Sequence, residues 1–176
     1  MLEKTNEKMK KKFETIEYGF VDQKNNIYPD NEKERDSTFS KKYHLQSPEE
    51  CIKNKYGVCW DQVEVERYYL EQEEIKSTSY FIIAYDKKIE PTHTWIVVKD
   101  NQSYYWIEHS WEPYRGIHEY QSIDQLLIDV KEKFEDSIKK QNIKNYSIEI
   151  YKYQKPKSHL NCMEFMNYCE RGEKIK

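Results

Sequence analysis

The sequence predicts an α+β fold in which an antiparallel sheet packs against helices. Three observations predict it. Segments rich in β-branched and aromatic residues follow one another closely at Thr78–Tyr85, Thr92–Val98 and Tyr104–His109. Segments with helical apolar spacing flank this run instead of alternating with it, which is the α+β order. The chain also carries 16 Tyr, 6 Phe and 4 Trp. Those large buriable rings offset a charged fraction of 35% and a mean hydropathy of -1.09, values that would otherwise suit a disordered chain. At 176 residues the chain fits one domain, 1–176, whose core needs no disulfide or metal to hold it.

The elements follow in order. Residues 1–12 read as a helix that frays at the chain end, its Lys8–Lys12 run solvated. Thr15–Val21 reads as a short strand. Asp22–Ser40 is polar, carries Pro29, and reads as a long loop; residues 22–46 as a whole are long enough to serve as a lid. Ser47-Pro48-Glu49-Glu50 starts a short helix, with Ser47 as cap, Pro48 in the first turn and Glu50 closing a capping box. A second helix runs from Cys59 to Glu73, its buried face marked by Cys59, Val63 and Leu70. The three strands follow, the second and third joined by the polar turn Lys99–Ser103. Ser122 to Ile138 is helical on the spacing of Ile123, Leu126, Leu127, Val130 and Phe134, with Ser122 and Gln125 as a capping box. Tyr146–Tyr153 alternates as a strand. Ser158–Arg171 reads as a last helix with Gly172 as its cap, and Cys162, Phe165, Met166 and Cys169 form its core stripe.

Several function classes fall away. Lys and Arg total 29 against 32 Asp and Glu, a net charge of -3 with no basic field for nucleic acid. The longest apolar runs, Tyr80–Tyr85 and Trp95–Val98, are far short of the roughly 20 residues of a membrane span. Met1–Lys12 has no signal-peptide core, so a cytoplasmic protein with reduced thiols is expected. The four cysteines contain no CxxC pair, and His44, His118 and His159 have no partner at ligand spacing, so neither metal nor cofactor is expected.

The chemistry-bearing residues concentrate in two places. In Tyr56-Gly57-Val58-Cys59-Trp60 the glycine permits a tight turn and Cys59 falls in the first turn of a helix. The free N–H groups and partial positive charge there favour a thiolate and can hold an oxyanion. A thiolate enzyme needs a proton donor and acceptor, and His93, polar at the head of an apolar strand, is the best placed of the five histidines. In an antiparallel hairpin, opposed residues share a constant index sum. A two-residue loop at Asp100-Asn101 sets His93 opposite Glu108, and a four-residue loop, Asp100–Ser103, offsets Glu108 diagonally on the same face. An odd loop would bring His109 there instead. Even loops also stack Trp95 and Trp106 on one face, which favours them. Singly, each residue has a structural reading: Cys59 as core, His93 and Glu108 as strand-end polar residues.

Together, Gly57-x-Cys59-Trp60, His93-x-Trp95 and Trp106-Ile107-Glu108 resemble the transglutaminase-like superfamily of papain-like thiol enzymes, over roughly Ser47 to Tyr114. The third residue of that family is commonly Asp, and here it is Glu108. The resemblance implies a papain-like core with the nucleophile at a helix N-terminus and a Cys59–His93–Glu108 triad acting on carboxamides through a thioester. Family members include cross-linking enzymes, proteases and amidases that remove glycans from proteins, so a protein or peptide substrate is implied. The rival reading is a catalytically inactive member used as a binding or scaffold module. Trp60, Trp111 and Arg115 are candidates for oxyanion or substrate contacts. Trp111 and Arg115 lie in the mixed segment Glu108–Gly116, where a loop after a strand end can bind substrate.

Overall fold

A computed structural model describes residues 2–30, 35–86 and 90–175. Six antiparallel strands form the sheet, in the order β6-β5-β4-β3-β7-β8. They are β3 (Ser77–Tyr85), β4 (Thr92–Lys99), β5 (Tyr104–Glu108), β6 (Gly116–Tyr120), β7 (Ser147–Tyr153) and β8 (Glu173–Lys174). The helices are α1 (Leu2–Phe13), α2 (Arg35–Lys42), α3 (Pro48–Asn54), α4 (Cys59–Gln72), α5 (Ile123–Lys140) and α6 (Cys162–Glu170). A small hairpin of β1 (Gly19–Val21) and β2 (Ile27–Pro29) stands apart from the sheet.

The strand period of two sorts the core into layers. Tyr80, Ile82, Ala84, Trp95, Val97, Trp106 and Ile150 face Leu126, Leu127, Val130, Phe134 and Ile138 of α5. On the other face, Ile96, Val98 and Ile107 meet α1 and α4, while Phe81, Ile83, Tyr151 and Tyr153 meet Trp60 and the α6 residues Phe165 and Cys169. The α+β expectation is met: the sheet lies between α5 and the remaining helices.

The β4–β5 register pairs Lys99 with Tyr104 and Ile96 with Ile107, so the loop is the four-residue one. Asp100 N–H donates to the Ser103 carbonyl at 3.0 Å to close it. Helix α3 starts as expected, with Glu50 N–H donating to Ser47 Oγ at 3.2 Å and Ser47 N–H to Glu50 Oε2 at 2.8 Å. Ser122 caps α5 by accepting from Gln125 N–H at 3.2 Å.

Other expectations need correction. The first helix is packed, not frayed: Thr5, Met9 and Phe13 are buried at i, i+4 spacing, and Met9 and Phe13 share a core cluster with Val65 and Leu70 of α4. Lys10, Lys11 and Lys12 sit in its last turn, complementing the negative helix end. The expected loop Asp22–Ser40 holds β2 and most of α2, with residues 31–34 outside the described ones. Its turn is built by Asp22, whose Oδ1 accepts from the N–H groups of Lys24 (2.8 Å) and Asn26 (2.9 Å). The first strand is shorter than Thr15–Val21. Strand β6 was not foreseen, because Gly116–Tyr120 lacks a strong apolar alternation. Helix α6 begins at Cys162, where Asn161 and Glu164 form the capping box. Gly172 is not a left-handed cap; a Cβ there would lie 2.3 Å from the Lys152 carbonyl, so glycine is required by close approach to β7. Helix α4 is buried almost all round from Cys59 to Arg67, not along one stripe. Part of its buried charge is paired within the helix, as Arg67 donates to both Glu64 oxygens (2.9 and 3.2 Å), and also to Ser79 Oγ (2.6 Å).

Candidate active site

The N-terminus of α4 is fixed from three directions. Asp61 Oδ2 accepts from Val58 N–H at 3.0 Å, and its Oδ1 accepts from Tyr43 Oη (3.1 Å) and Gln46 N–H (2.9 Å). Gln62 Nε2 donates to the Gly57 carbonyl at 2.8 Å, and Gln46 Nε2 to that of Tyr56 at 2.8 Å. Gly57 serves close packing, not a strained turn. It has no left-handed φ, and a Cβ would lie 2.7 Å from Cys51 Sγ. Cys59 thereby occupies the first helical position, with a side chain buried but bordering a cleft. Cys51, Cys162 and Cys169 are also free and buried, and burial raises the thiol pKa of each.

His93 and Glu108 arrive from β4 and β5. The four-residue loop sets them diagonally on the α5 face of the sheet, and the longer glutamate side chain spans the offset. His93 Nε2 and Glu108 Oε2 are 2.7 Å apart, both residues buried. Glu108 takes Nε2, and Cys59 lies near enough to the imidazole to add to the rise in its pKa. The Cys59 thiol and the His93 imidazole thus come from opposite faces of the sheet and lie near each other.

Glu108 is held at its second oxygen as well. Oε1 accepts from Ser110 N–H, Ser110 Oγ and Trp111 N–H, each at 2.8 Å. Burial pushes this carboxyl up, but the imidazole and the donors win and hold it below its ordinary value. For His93, burial alone would lower the pKa. The Glu108 carboxylate, and after it the nearby Cys59, outweigh burial and raise the imidazole to about 10. A buried imidazolium bonded to a carboxylate can supply a proton.

Of the remaining candidates, Trp111 packs edge-on against the His93 ring at 4.8 Å and lines the cleft. Trp60 lines the cleft with its indole. Its indole stacks on Phe165 at 4.5 Å and its Nε1 donates to Thr92 Oγ1 at 3.2 Å. Arg115 is exposed at the cleft rim, and its Nε donates to the His109 carbonyl at 2.9 Å.

The cleft has two arms that share Tyr18, Pro91, Thr92 and Gln141. One, of about 410 Å³, holds His93, Ser110 and Trp111; the other, of about 520 Å³, holds Cys59 and Trp60. Segment 22–46 contributes walls, with Asp30 in the first arm and Phe39 and Ser40 in the second. Among the described residues no cluster of three or more His, Cys, Asp and Glu is arranged to hold a metal, and no helix is long and apolar enough to cross a membrane.

A family model described as a transglutaminase-like domain matches residues 1–151. The chain belongs to the transglutaminase-like family. A comparison with curated proteins finds no match.

Sequence reasoning missed one further element of this transglutaminase-like site. His109 Nδ1 and Glu66 Oε1 lie 2.8 Å apart, both buried, on the α4 side of β5. Phe13 of α1 stacks on the His109 ring at 4.2 Å. Burial lowers His109 to about 4 and, with Glu108 nearby, pushes Glu66 well up. The signal was available, since Glu66 lies two helical turns after Cys59 on the same face of α4.

Proposed function

We propose that the protein is a thiol-dependent amide-bond hydrolase or acyl transferase working through Cys59, His93 and Glu108. The observation that carries the reading is the buried His93 imidazole, bonded at Nε2 to Glu108 and close enough to Cys59 for the thiol to act on its pKa. Cys59 Sγ attacks a carboxamide carbon, and the carbonyl electrons move to oxygen. The Cys59 N–H at the head of α4 is an oxyanion donor. The tetrahedral adduct collapses as His93 gives its proton to the leaving amine, so the C–N bond breaks and a thioester remains. Water or a second amine then attacks the thioester, His93 takes the proton, and the thiolate leaves. Glu108, anchored by Ser110 and Trp111, orients the imidazole and offsets its charge.

The test is the rate of Cys59 alkylation by iodoacetamide against pH, in wild type and in His93→Ala. Fast alkylation should persist below the free-thiol pKa of about 8.5, and be lost in His93→Ala. An ordinary thiol titration unchanged by the substitution would remove the enzyme and leave the scaffold reading.

A further inference from the structure

We infer that the cavity on the Cys59 side of the cleft is an acyl subsite for a bulky apolar side chain, aliphatic or aromatic, on the acyl side of the scissile amide. The inference rests on the thiol-enzyme reading above and adds a substrate class to it. Three observations carry it.

The first is the division of the cleft. Thioester chemistry leaves the acyl group on sulfur while the amine departs with the imidazole proton. Acyl groups therefore occupy the arm whose wall contains Cys59, and amines the arm whose wall contains His93.

The second is the contrast in lining. The His93 arm presents Asp30, Glu112, Arg115 and several hydroxyl or amide groups. The Cys59 arm is walled mainly by Val58, Trp60, Phe39, Cys162, Met163 and Met166, with Glu90 as the one charged residue in its lining. Burial pushes the Cys162 thiol up to about 11, so it stays neutral and adds no charge to that wall. At about 520 Å³ the arm is within the usual range for a small-molecule site and large enough for a leucine- or phenylalanine-sized group.

The third is Met163. It is 59% exposed, and the only other exposed large hydrophobics among the described residues are Ile27 and Ile128. Met163 and Met166 are three apart on α6 and line one rim of the arm together. Unbranched thioethers adapt to several apolar shapes, so the subsite should accept leucyl and phenylalanyl groups alike.

The experiment measures inactivation by acetyl-aminoacyl chloromethyl ketones bearing alanyl, leucyl, phenylalanyl, lysyl or aspartyl side chains, with the labelled residue located by peptide mass. Cys59 sulfur displaces chloride, forming the C–S bond as the C–Cl bond breaks. The leucyl and phenylalanyl probes should label Cys59 roughly tenfold or more faster than the alanyl and lysyl probes, the usual discrimination of an apolar pocket. In Met166→Glu, and in the more exposed Met163→Glu, the leucyl-to-lysyl rate ratio should fall by about tenfold or more. The ratio is taken within one protein, so partial unfolding of a variant lowers both rates and cannot imitate the result. Equal rates across the probes, or a ratio unmoved in both variants, overturns the subsite. Iodoacetamide separates this from failure of the underlying reading: slow, His93-independent alkylation sinks the thiol enzyme, whereas fast alkylation with no side-chain preference sinks the subsite alone.

Discussion

At the scale of single residues, Glu108 at the end of β5 and His109 just after it point to opposite faces, and each makes a carboxylate–imidazole pair. Glu108 bonds His93 across the hairpin, and His109 bonds Glu66 across to α4. The first pair is polarised by its donors. The second is buried without a compensating charge, and Glu66 Oε2 has no hydrogen-bond partner. The folded Glu66 carboxyl therefore titrates above its unfolded value of about 4.3. A raised folded pKa contributes stability that is complete below the unfolded value and is lost as pH rises through the folded one. Glu66→Gln removes that loss while keeping a polar group beside His109. The variant should melt higher than wild type at about pH 8, by on the order of 1 kcal/mol, and the gap should close toward about pH 4.5. Thermal melts followed by circular dichroism across that range check it, and a gap that does not change with pH would mean that Glu66 is ionised in the fold. The first pair was legible because hairpin parity limits which carboxylate can share a face with His93. The Ser110 and Trp111 donors were not, because backbone N–H groups in a turn leave no residue-type signal.

At the scale of elements, the position of Cys59 depends on how the start of α4 packs on α3. Gly57 is the contact point, with the space for its Cβ taken by Cys51 Sγ at 2.7 Å and Asp61 Cβ at 3.1 Å. Gly57→Ala should destabilise the fold by roughly 1–3 kcal/mol through overpacking. Asp61 also caps the helix, so the same push should turn Cys59 away from His93. Urea denaturation reads the first effect, and iodoacetamide alkylation at about pH 6 reads the second. A destabilised variant with wild-type alkylation would show that this contact does not place the thiol. Helices α3, α4 and α5 were readable from their caps and apolar spacing. Helix α1 was misread because its buried set, Thr5, Met9 and Phe13, contains a polar residue and sits among lysines. The β1–β2 hairpin hid inside a polar stretch, although Asp22 and Asn25-Asn26 between Val21 and Ile27 are turn chemistry that could have exposed it.

At the scale of the whole molecule, the sheet is both the core and the meeting place of the site. Its α+β order was legible because local patterns fix strand and helix identity. The added edge strand β6 was not, since pairing with β5 rather than local pattern makes Gly116–Tyr120 a strand. Because the imidazole pair sits on the α5 face and the thiol comes from the opposite layer, the site should dissolve with the sheet. Alkylation of Cys59 at about pH 6 and far-ultraviolet circular dichroism should lose their native values at the same urea midpoint, as expected for cooperative unfolding. Loss of fast alkylation at clearly lower urea would instead show the site opening on its own. On the proposed mechanism, chain order also sets when the Cys59 thiol can react. On the ribosome Cys59 emerges first, His93 follows, and Glu108 is added 15 residues later still. Until β4 and β5 have paired, Cys59 lacks its imidazole partner, so that mechanism cannot run on the growing polypeptide itself or on its neighbours.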